Sequence, residues 1–318
     1  MTLLVVDRVS KSFPRPGGLF ASGPDVRAVD EVSFALEAGA RLGVVGESGC
    51  GKSTLGRIII GLHRPDAGHV LIDGQDVHAA TGAAAHELRR RVQMIWQDTA
   101  GALDPRLRVG DVLTEPLVVH GMVDGRAERE RRAVEWLERV GLDASLVRRR
   151  PHELSGGQRQ RIGIARALAL GPALLVADEP VASLDVSVQT QILRLLADLV
   201  ADTHVALLFI SHDIRVVRAL TERVLVLYRG RAVELGPTAA VTHQPLHPYT
   251  QALIAAVPAL HPDARHVRPP TAEGEPSDAN AGCAFVARCG SAEPGCSTEH
   301  PAWREVRPGH WVACSASS

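Results

Sequence analysis

Residues 46–54 are Gly-Glu-Ser-Gly-Cys-Gly-Lys-Ser-Thr, and the interpretation of the whole chain starts from this stretch. It fits the pattern G-x-x-x-x-G-K-[ST], in which a glycine-rich loop turns its backbone N–H groups toward phosphates. Residues 41–45 before it are predicted to form a short buried strand and residues 55–61 after it a helix, so the strand–loop–helix context that the motif requires is expected. Lys52 can then supply a cation for the outer phosphates, and the Ser53 hydroxyl can bind magnesium. A glycine-rich turn before an ordinary helix is the alternative interpretation.

Beyond the loop, several short and wholly apolar runs alternate with segments that favour helices. Three of these runs lie at residues 173–177, 205–210 and 224–228. Runs of this length between helices are typical of parallel strands buried on both faces, so the predicted fold class is α/β. Ligands of such sheets bind at the carboxyl ends of the strands, where Asp178 and His212 follow two of the runs.

The remaining pattern predicts further elements around these strands. Strands are expected at residues 3–6, 32–36, 69–72 and 92–96, and helices at residues 82–91, 126–140, 157–170, 187–201 and within 243–258. Residues 98–121 are predicted to be irregular because they contain Pro105 and Pro116. Residues 261–282 are rich in Pro, Ala and acidic residues, which predicts a linker.

The composition argues against several classes of function. The chain has 318 residues, a hydrophobic content of 45%, a formal net charge of −1 and a pI of about 6.9. This balance predicts no general attraction to nucleic acid or to an anionic membrane. No run of about eighteen apolar residues is present, so no membrane span is expected, and the N-terminus lacks the pattern of a signal peptide. We therefore expect a cytosolic protein, in which disulfides are rare.

Asp178 and Glu179 form a second nucleotide signal at the end of an apolar run. A carboxylate at this position can hold magnesium through water, as a phosphate-binding loop requires. The adjacent Glu179 could orient and polarise an attacking water. Two solvated acids at a strand end are the alternative, which would be preferred without the phosphate loop.

Residues 155–158, Ser-Gly-Gly-Gln, form the third and most specific signal. A serine followed by two glycines at a helix start is another site suited to an anion. It lies about a hundred residues from Lys52, so one nucleotide cannot easily occupy both sites within one subunit. The economical solution is two subunits arranged head to tail, each lending this segment to the nucleotide of the other. A Ser-capped amphipathic helix is the local alternative.

Taken in chain order, these motifs resemble those of the ATP-binding subunits of ABC transporters, over residues 1 to about 240. The resemblance implies an ABC-type P-loop ATPase domain with a RecA-like core, a helical subdomain and an N-terminal antiparallel β part. It also implies ATP and Mg²⁺ as cofactors. Residues 46–53 then resemble the Walker A loop, residues 174–178 the Walker B strand, and residues 183–185 the D-loop.

By the same resemblance, the residues expected at the nucleotide fall into three sets. Catalytic roles are expected of Glu179 and His212, the latter as a contact of the γ-phosphate. Magnesium is expected at Ser53, Gln97 and Asp178. The residues expected to contact the nucleotide are Phe13, Gly46, Glu47, Ser48, Gly49, Cys50, Gly51, Lys52, Ser53, Thr54, Gln97, Ser155, Gly156, Gly157, Gln158 and Asp185. Phe13 would stack on adenine, although a lone Phe near an N-terminal strand is more often part of a core.

Longer runs resemble one subfamily, the oligopeptide and dipeptide importers. These runs lie at residues 97–106, 151–161, 185–189 and 247–253. Gln158 resembles the F-type subunit more than the D-type, which usually has Met at this position. Thr99 stands where the subfamily usually has Pro, and Gly101 where it usually has Ser.

The subfamily resemblance implies a function and a set of partners. The chain would hydrolyse ATP to power peptide import from the cytoplasmic face of the cell membrane, as a peripheral subunit. Its partners would be a second ABC ATPase subunit of the D-type, two membrane permease subunits and an extracytoplasmic solute-binding protein. Nucleic acid is not expected as a partner, and a homodimer remains an alternative to the D-type pairing.

Three alternatives to this function stay open at this point. One is an ABC ATPase of DNA repair or translation, which the absence of a long coiled-coil insertion, the single cassette and the near-neutral charge disfavour. Another is import of a different small solute, such as a nickel chelate. The third is a metal-binding regulatory module fused to a degenerate nucleotide switch, which the intact Lys52, Asp178, Glu179 and His212 argue against.

The resemblance implies an ATPase domain at residues 1–240 and a C-terminal extension at residues 241–318, and four of the five cysteines lie in the last forty residues. The cysteines are Cys283, Cys289, Cys296 and Cys314, and no two of them form a C-x-x-C pair. Four thiolates suit zinc or an iron–sulfur cluster, and free thiols are a third interpretation. The resemblance to peptide-importer ATPases implies a 4Fe-4S cluster with a structural role. Arg288 and His310 are expected to be solvated at the surface.

Overall fold

The computed structural model describes residues 1–14, 25–182, 184–256 and 282–316. The strands are β1 (Thr2–Phe13), β2 (Val26–Glu37), β3 (Arg41–Val45), β4 (Ala67–Ile72), β5 (Gln75–Asp76), β6 (Val92–Ile95), β7 (Leu174–Asp178), β8 (Ala206–Ser211), β9 (Arg223–Tyr228), β10 (Arg231–Pro237), β11 (Arg304–Arg307) and β12 (His310–Val312). The α-helices are α1 (Lys52–Ile59), α2 (Gly82–Arg91), α3 (Thr99–Ala102), α4 (Val109–Val119), α5 (Gly125–Arg139), α6 (Gly156–Leu168), α7 (Val186–Thr203), α8 (Ile214–Leu220), α9 (Thr238–His243) and α10 (Pro248–Ala255).

The main sheet has eight strands in the order β11-β12-β10-β9-β3-β8-β7-β6. Strands β6, β7, β8, β3 and β9 are parallel, whereas β10, β12 and β11 pair antiparallel. Every residue of β7 and β8 is buried, and neighbours such as Leu175 and Val176 belong to hydrophobic clusters on opposite sides of the sheet. The predicted α/β class with doubly buried parallel strands is therefore confirmed.

A second sheet forms the N-terminal part, in the order β2-β1-β4-β5 with antiparallel pairing throughout. Strand β1 is longer than the predicted residues 3–6, because a bulge at Arg8, with φ of +43°, returns Val9 to the buried face that holds Leu4 and Val6. This sheet matches the expected N-terminal antiparallel part and lies beside the glycine-rich loop through β2.

Helices α3, α4, α5 and α6 form a helical layer, and all four lie between β6 and β7 in the sequence. The prediction that residues 98–121 are irregular is wrong, because α3 and α4 form there. Pro116 lies inside α4, yet Val109, Val112, Leu113 and Leu117 are buried at helical spacing. This apolar face outweighs the hydrogen bond that the proline removes. Among the described residues, no helix is both long and apolar enough to cross a bilayer.

The C-terminal extension returns to the main sheet, where β12 pairs antiparallel with β10. Glu234 of β10 is fully buried and accepts hydrogen bonds from His310 Nε2 at 2.7 Å and from the backbone N–H groups of Leu246 and His247. The expectation that His310 is solvated is wrong, since only 1% of it is exposed. Residue 240 lies inside α9, so the division at this position stays a prediction. The predicted linker lies almost wholly outside the described residues.

Candidate active site

A cavity of about 470 Å³ lies at the carboxyl edge of the parallel strands, a volume typical of small-molecule sites. It collects residues that follow β3, β6, β7 and β8, as expected where parallel strands end together. Its lining consists of Ala28, Ser48, Gly49, Gly51, Lys52, Ser53, Thr54, Gln97, Glu179, Ala182 and His212. All of these lining residues except Ala28 and Ala182 are among those that the sequence predicts at the nucleotide.

The glycine-rich loop needs two of its glycines because neighbouring backbone lies too close for a side chain. At Gly51, with φ of +103°, a Cβ would lie 2.0 Å from the carbonyl oxygen of Ala28. At Gly46, with φ of +156°, it would lie 2.2 Å from the carbonyl oxygen of Leu227. The loop therefore folds against β2 and β9, and α1 begins at Lys52 without a side-chain cap.

Lys52 is held at the mouth of the loop by neutral groups. Its Nζ donates to the carbonyl oxygens of Gly46 at 2.8 Å and Glu47 at 2.9 Å. Cys50 Sγ is 3.8 Å away, and burial raises the pKa of the Cys50 thiol, so the thiol keeps its proton. Among the residues that the structure describes, no carboxylate oxygen is hydrogen-bonded to Lys52 Nζ, whose partners are two carbonyl oxygens and a thiol. Its charge is thus available to an anion in the cavity.

Oxygen atoms suited to magnesium meet below the loop. Ser53 Oγ donates to Asp178 Oδ1 at 2.9 Å, linking α1 to the end of β7. Asp178 is 1% exposed, and this burial raises its pKa despite the hydrogen bond from Ser53. A hydroxyl and a carboxylate next to the cavity are hard oxygen ligands of the kind that Mg²⁺ prefers. A bound cation would also lower the cost of keeping Asp178 ionised.

Glu179 lies between Gln97 and His212 at the cavity wall. His212 Nδ1 is 3.2 Å from Glu179 Oε2, and Gln97 Nε2 is 3.4 Å from the same oxygen. Glu179 has φ of +44°, a conformation that costs a non-glycine residue free energy and that clusters at functional sites. The strained backbone turns this carboxylate to the cavity, whereas Asp178 before it stays buried.

The predicted signature segment lies outside the cavity, and the polar groups at its start hydrogen-bond to one another. Ser155 Oγ accepts from the N–H of Gln158 at 3.2 Å, and Gln158 Oε1 accepts from the N–H of Ser155 at 2.9 Å. A Cβ at Gly157 would lie 2.8 Å from Val188 Cγ1, so this glycine lets α6 approach α7. Asp185 caps α7 by accepting from the N–H of Val188. None of these residues lines the cavity, and Ser183 lies outside the described residues.

Phe13 also does not line the cavity. Its ring packs edge-to-face on His63 with centroids 5.6 Å apart, and Lys11 Nζ lies 5.7 Å from its centroid. Stacking of Phe13 on adenine therefore stays a prediction.

The four C-terminal cysteines share one neighbourhood but do not form a ready metal site. Cys296 and Cys314 are buried, and Cys283 donates its N–H to the carbonyl oxygen of Cys296 at 2.7 Å. Burial, with the other thiols nearby, raises the pKa of Cys283 and of Cys289. In the described ranges, no three His, Cys, Asp or Glu side chains are grouped so that they could hold a metal ion. The structure thus gives no support to the expected cluster.

Two contacts of the site region were missed by sequence reasoning. Tyr249 of α10 and Arg288 of the Cys-bearing tail both contact Glu47 of the loop. The expected solvation of Arg288 at the surface is therefore wrong, and the motif at residues 247–253 both resembles the subfamily and contacts the loop through Tyr249. Thr99, a departure from the family pattern, donates its hydroxyl to the side-chain oxygen of Gln160 and so ties α3 to α6.

Comparison with known proteins gives two matching families and many relatives. The family described as ABC transporter matches residues 29–182, and the family described as oligopeptide/dipeptide transporter, C-terminal region, matches residues 233–296. A probable peptide ABC transporter ATP-binding protein, y4tS, from Sinorhizobium fredii is 48% identical over 98% of this chain and 89% of the relative. The oligopeptide transport ATP-binding protein AppF of Bacillus subtilis is 46% identical, covering 98% of this chain and 97% of the relative.

Solved structures show the same fold. The dimeric structure of MJ0796, a bacterial ABC transporter cassette, superposes with a TM-score of 0.65 and 29% identity, covering 74% of this chain and 99% of that chain. The structure of cbiO1 from Clostridium perfringens, part of an ABC transporter complex, has a TM-score of 0.63 and 25% identity, covering 76% of this chain and 91% of that chain.

Proposed function

Because the chain belongs to the ABC transporter family of ATP-binding proteins, we propose that it hydrolyses ATP to power peptide import through partner membrane subunits. The proposal of ATP hydrolysis rests on one observation. Lys52, Ser53, Gln97, Glu179 and His212 line the same cavity. The peptide cargo is supported by the match to the C-terminal region of oligopeptide/dipeptide transporters and by the names of the relatives.

The roles in hydrolysis follow from where each side chain lies. The loop N–H groups and Lys52 would bind the β- and γ-phosphates, because the ammonium has no competing carboxylate among the described residues. Ser53 and Asp178, with Gln97, would hold Mg²⁺, which when bound neutralises charge on the phosphates. The oxygen of a water attacks the γ-phosphorus, its proton passes to Glu179, and the bond to the leaving ADP oxygen breaks. His212 would move from Glu179 to the γ-phosphate.

The test of this function is magnesium-dependent ATP turnover by the Glu179→Gln variant. The amide keeps the size of the carboxylate but is a poor base, so we expect turnover to fall on the order of 10²-fold or more while ATP binding persists. Lys52→Ala should instead weaken ATP binding. Glu87→Gln, which changes an exposed carboxylate paired with Arg90, is the matched control and should keep parental turnover. Parental turnover by Glu179→Gln would refute the assigned role of this residue.

The proposed assembly pairs two ATPase subunits with two permease subunits and a solute-binding protein, with a D-type ATPase as partner. It is supported by the position of Ser155–Gln158 outside the cavity of its own chain, which leaves these residues for a partner's nucleotide. The chain would then lie at the cytoplasmic face of the membrane as a peripheral subunit. Co-purification from detergent-solubilised membranes, with identification of the attached chains, tests the assembly. It also separates peptide import from import of another solute and from an ABC ATPase without permeases.

We also propose that the C-terminal cysteines bind a 4Fe-4S cluster, with zinc as the alternative. The support is the family resemblance and the shared neighbourhood of the four thiols, whereas their present arrangement is not a formed ligand set. Anaerobic purification should yield iron and acid-labile sulfide that fall in Cys289→Ser but not in Cys50→Ser. Stoichiometric zinc without iron would replace the cluster by a zinc site, and a metal-free protein would leave free thiols.

A further inference from the structure

Both polar groups of the Gly46–Glu47 peptide unit in the phosphate loop form hydrogen bonds. Its carbonyl oxygen, on Gly46, accepts from Lys52 Nζ at 2.8 Å. Its N–H, on Glu47, donates to Tyr249 Oη at 2.8 Å. Since hydrogen bonds through one peptide unit polarise each other, the Tyr249 hydroxyl and the Lys52 ammonium act on the same group. Tyr249, 202 positions from Glu47 in the sequence, thus contacts the same peptide unit that contacts Lys52.

Tyr249 is built to hold its hydroxyl in one place. It is 1% exposed, and its ring packs on Tyr228 at 4.4 Å and on Phe285 at 5.5 Å between centroids. Its own N–H donates to Nδ1 of His247 at 3.0 Å, and burial lowers the pKa of His247 to about 4, so this imidazole remains a neutral acceptor. Burial raises the pKa of Tyr249, which therefore stays a neutral phenol. The aromatic packing and the capped helix leave the hydroxyl little freedom.

The side chain of Glu47 is held by the same part of the molecule. Arg288 donates to both carboxylate oxygens, at 3.1 and 3.2 Å. The guanidinium lies 5.4 Å from the ring centroid of Phe285 and 5.9 Å from that of Tyr228. A bidentate arginine stacked on aromatic rings is a preorganised partner for a carboxylate. Without it, a negative charge would stand in a loop that must bind a polyanion.

We propose that Tyr249 and Arg288 are positioning residues of the ATP site, through which the C-terminal extension sets the affinity of the phosphate loop. Tyr249 fixes the Gly46–Glu47 peptide and thereby the carbonyl on which Lys52 rests. Arg288 neutralises Glu47 and so removes repulsion between the loop and the phosphates. This inference rests on the proposed function, namely that the loop binds ATP.

The experiment is equilibrium titration of the full chain and its variants with the fluorescent analogue mant-ATP in the presence of magnesium. Arg288→Ala should weaken binding about tenfold, equivalent to roughly 1.4 kcal/mol, because Glu47 then carries an uncompensated charge. Tyr249→Phe, which keeps the ring packing, should weaken binding about three- to tenfold through loss of one hydrogen bond. The double variant Glu47→Gln/Arg288→Ala should regain most of the affinity that Arg288→Ala loses.

Two controls separate positioning from general damage to the extension. Thr250→Val changes the neighbour of Tyr249, a buried hydroxyl with no hydrogen-bond partner among the described residues. Arg307→Ala removes a contact with Gln244 that lies within the extension and does not involve the loop. Both should keep parental affinity for mant-ATP. Thermal unfolding midpoints are measured in parallel, and Arg288→Lys serves if Arg288→Ala does not fold, with partial retention of affinity expected.

The outcomes distinguish this inference from the function on which it rests. If the parental chain does not bind mant-ATP, the proposed function fails. If the parental chain binds and the folded Tyr249→Phe and Arg288 variants bind equally well, the positioning roles are refuted. A loss in Arg288→Ala that Glu47→Gln does not restore would overturn the charge-compensation role of Arg288.

Discussion

Two helices of this protein begin at segments that suit an anion, yet their starts are built in opposite ways. Helix α1 follows Gly51, and no side chain caps its free N–H groups. Helix α6 follows Ser155, and a reciprocal pair of hydrogen bonds with Gln158 satisfies its first turn. An uncapped start on the cavity wall leaves its donors for a ligand, whereas a capped start is stable alone. The difference teaches that the start of α1 keeps donors available for a ligand, whereas the start of α6 satisfies its own.

The largest effect is expected from a substitution at the uncapped start of α1. Gly51→Ala places a Cβ 2.0 Å from the Ala28 carbonyl oxygen at a φ of +103°, so the loop must shift. We expect mant-ATP affinity to fall more than about 100-fold. Gly156→Ala is the matched change at the other helix, where the Cβ would lie 3.4 Å from Leu184 Cδ2, and affinity should change less than about threefold. Equal losses in both variants would mean that the two starts do not differ as described.

A smaller effect is expected from filling the capped start with a large cation. Ser155→Arg should lower cooperative ATP turnover about tenfold or more while leaving mant-ATP affinity of the chain's own loop unchanged, since Ser155 does not line that cavity. Ser145→Arg, on an exposed turn of the helical layer, is the control and should keep turnover. Full turnover by Ser155→Arg would contradict the head-to-tail use of this segment.

The smallest effect tests whether the capping box serves stability. Gln158→Ala removes the acceptor of the Ser155 N–H, and we expect the free energy of unfolding to fall by about 0.5–1 kcal/mol. Urea denaturation measures this change, and mant-ATP affinity should not move. A loss of affinity that accompanies the loss of stability would show that the capped start also shapes the phosphate loop.

The cavity was predictable because its residues follow strands that the local pattern of apolar residues identifies. The apolar runs that became β7 and β8 are parallel neighbours, so Glu179 and His212 had to meet at one edge. Helix α4 was not predicted, because Pro116 is a helix breaker whose effect is overridden by the buried apolar face of the helix. Local periodicity carries this kind of information, and it must be weighed against single helix breakers.

The contacts of the C-terminal extension could not be predicted, because they join residues far apart in the chain. The partners Glu47 and Arg288 are separated by 241 positions, and Glu234 and His310 by 76. No local pattern distinguishes a charged residue that finds such a partner from one that stays in water. The burial of His310 and the pairing of Arg288 with Glu47 therefore could not be inferred from the local sequence.

The pairing of β12 with β10 affects how readily two copies of the protein could associate through the edge of the main sheet. Without the hairpin, β10 would present a row of unpaired N–H and C=O groups, which is a template for aggregation. With it, the outermost strand is β11, only four residues long, and three of them are charged: Arg304, Glu305 and Arg307. Short and charged outer strands discourage pairing with another chain. At this edge of the main sheet, the extension thus replaces β10 by an outer strand that disfavours pairing with another molecule.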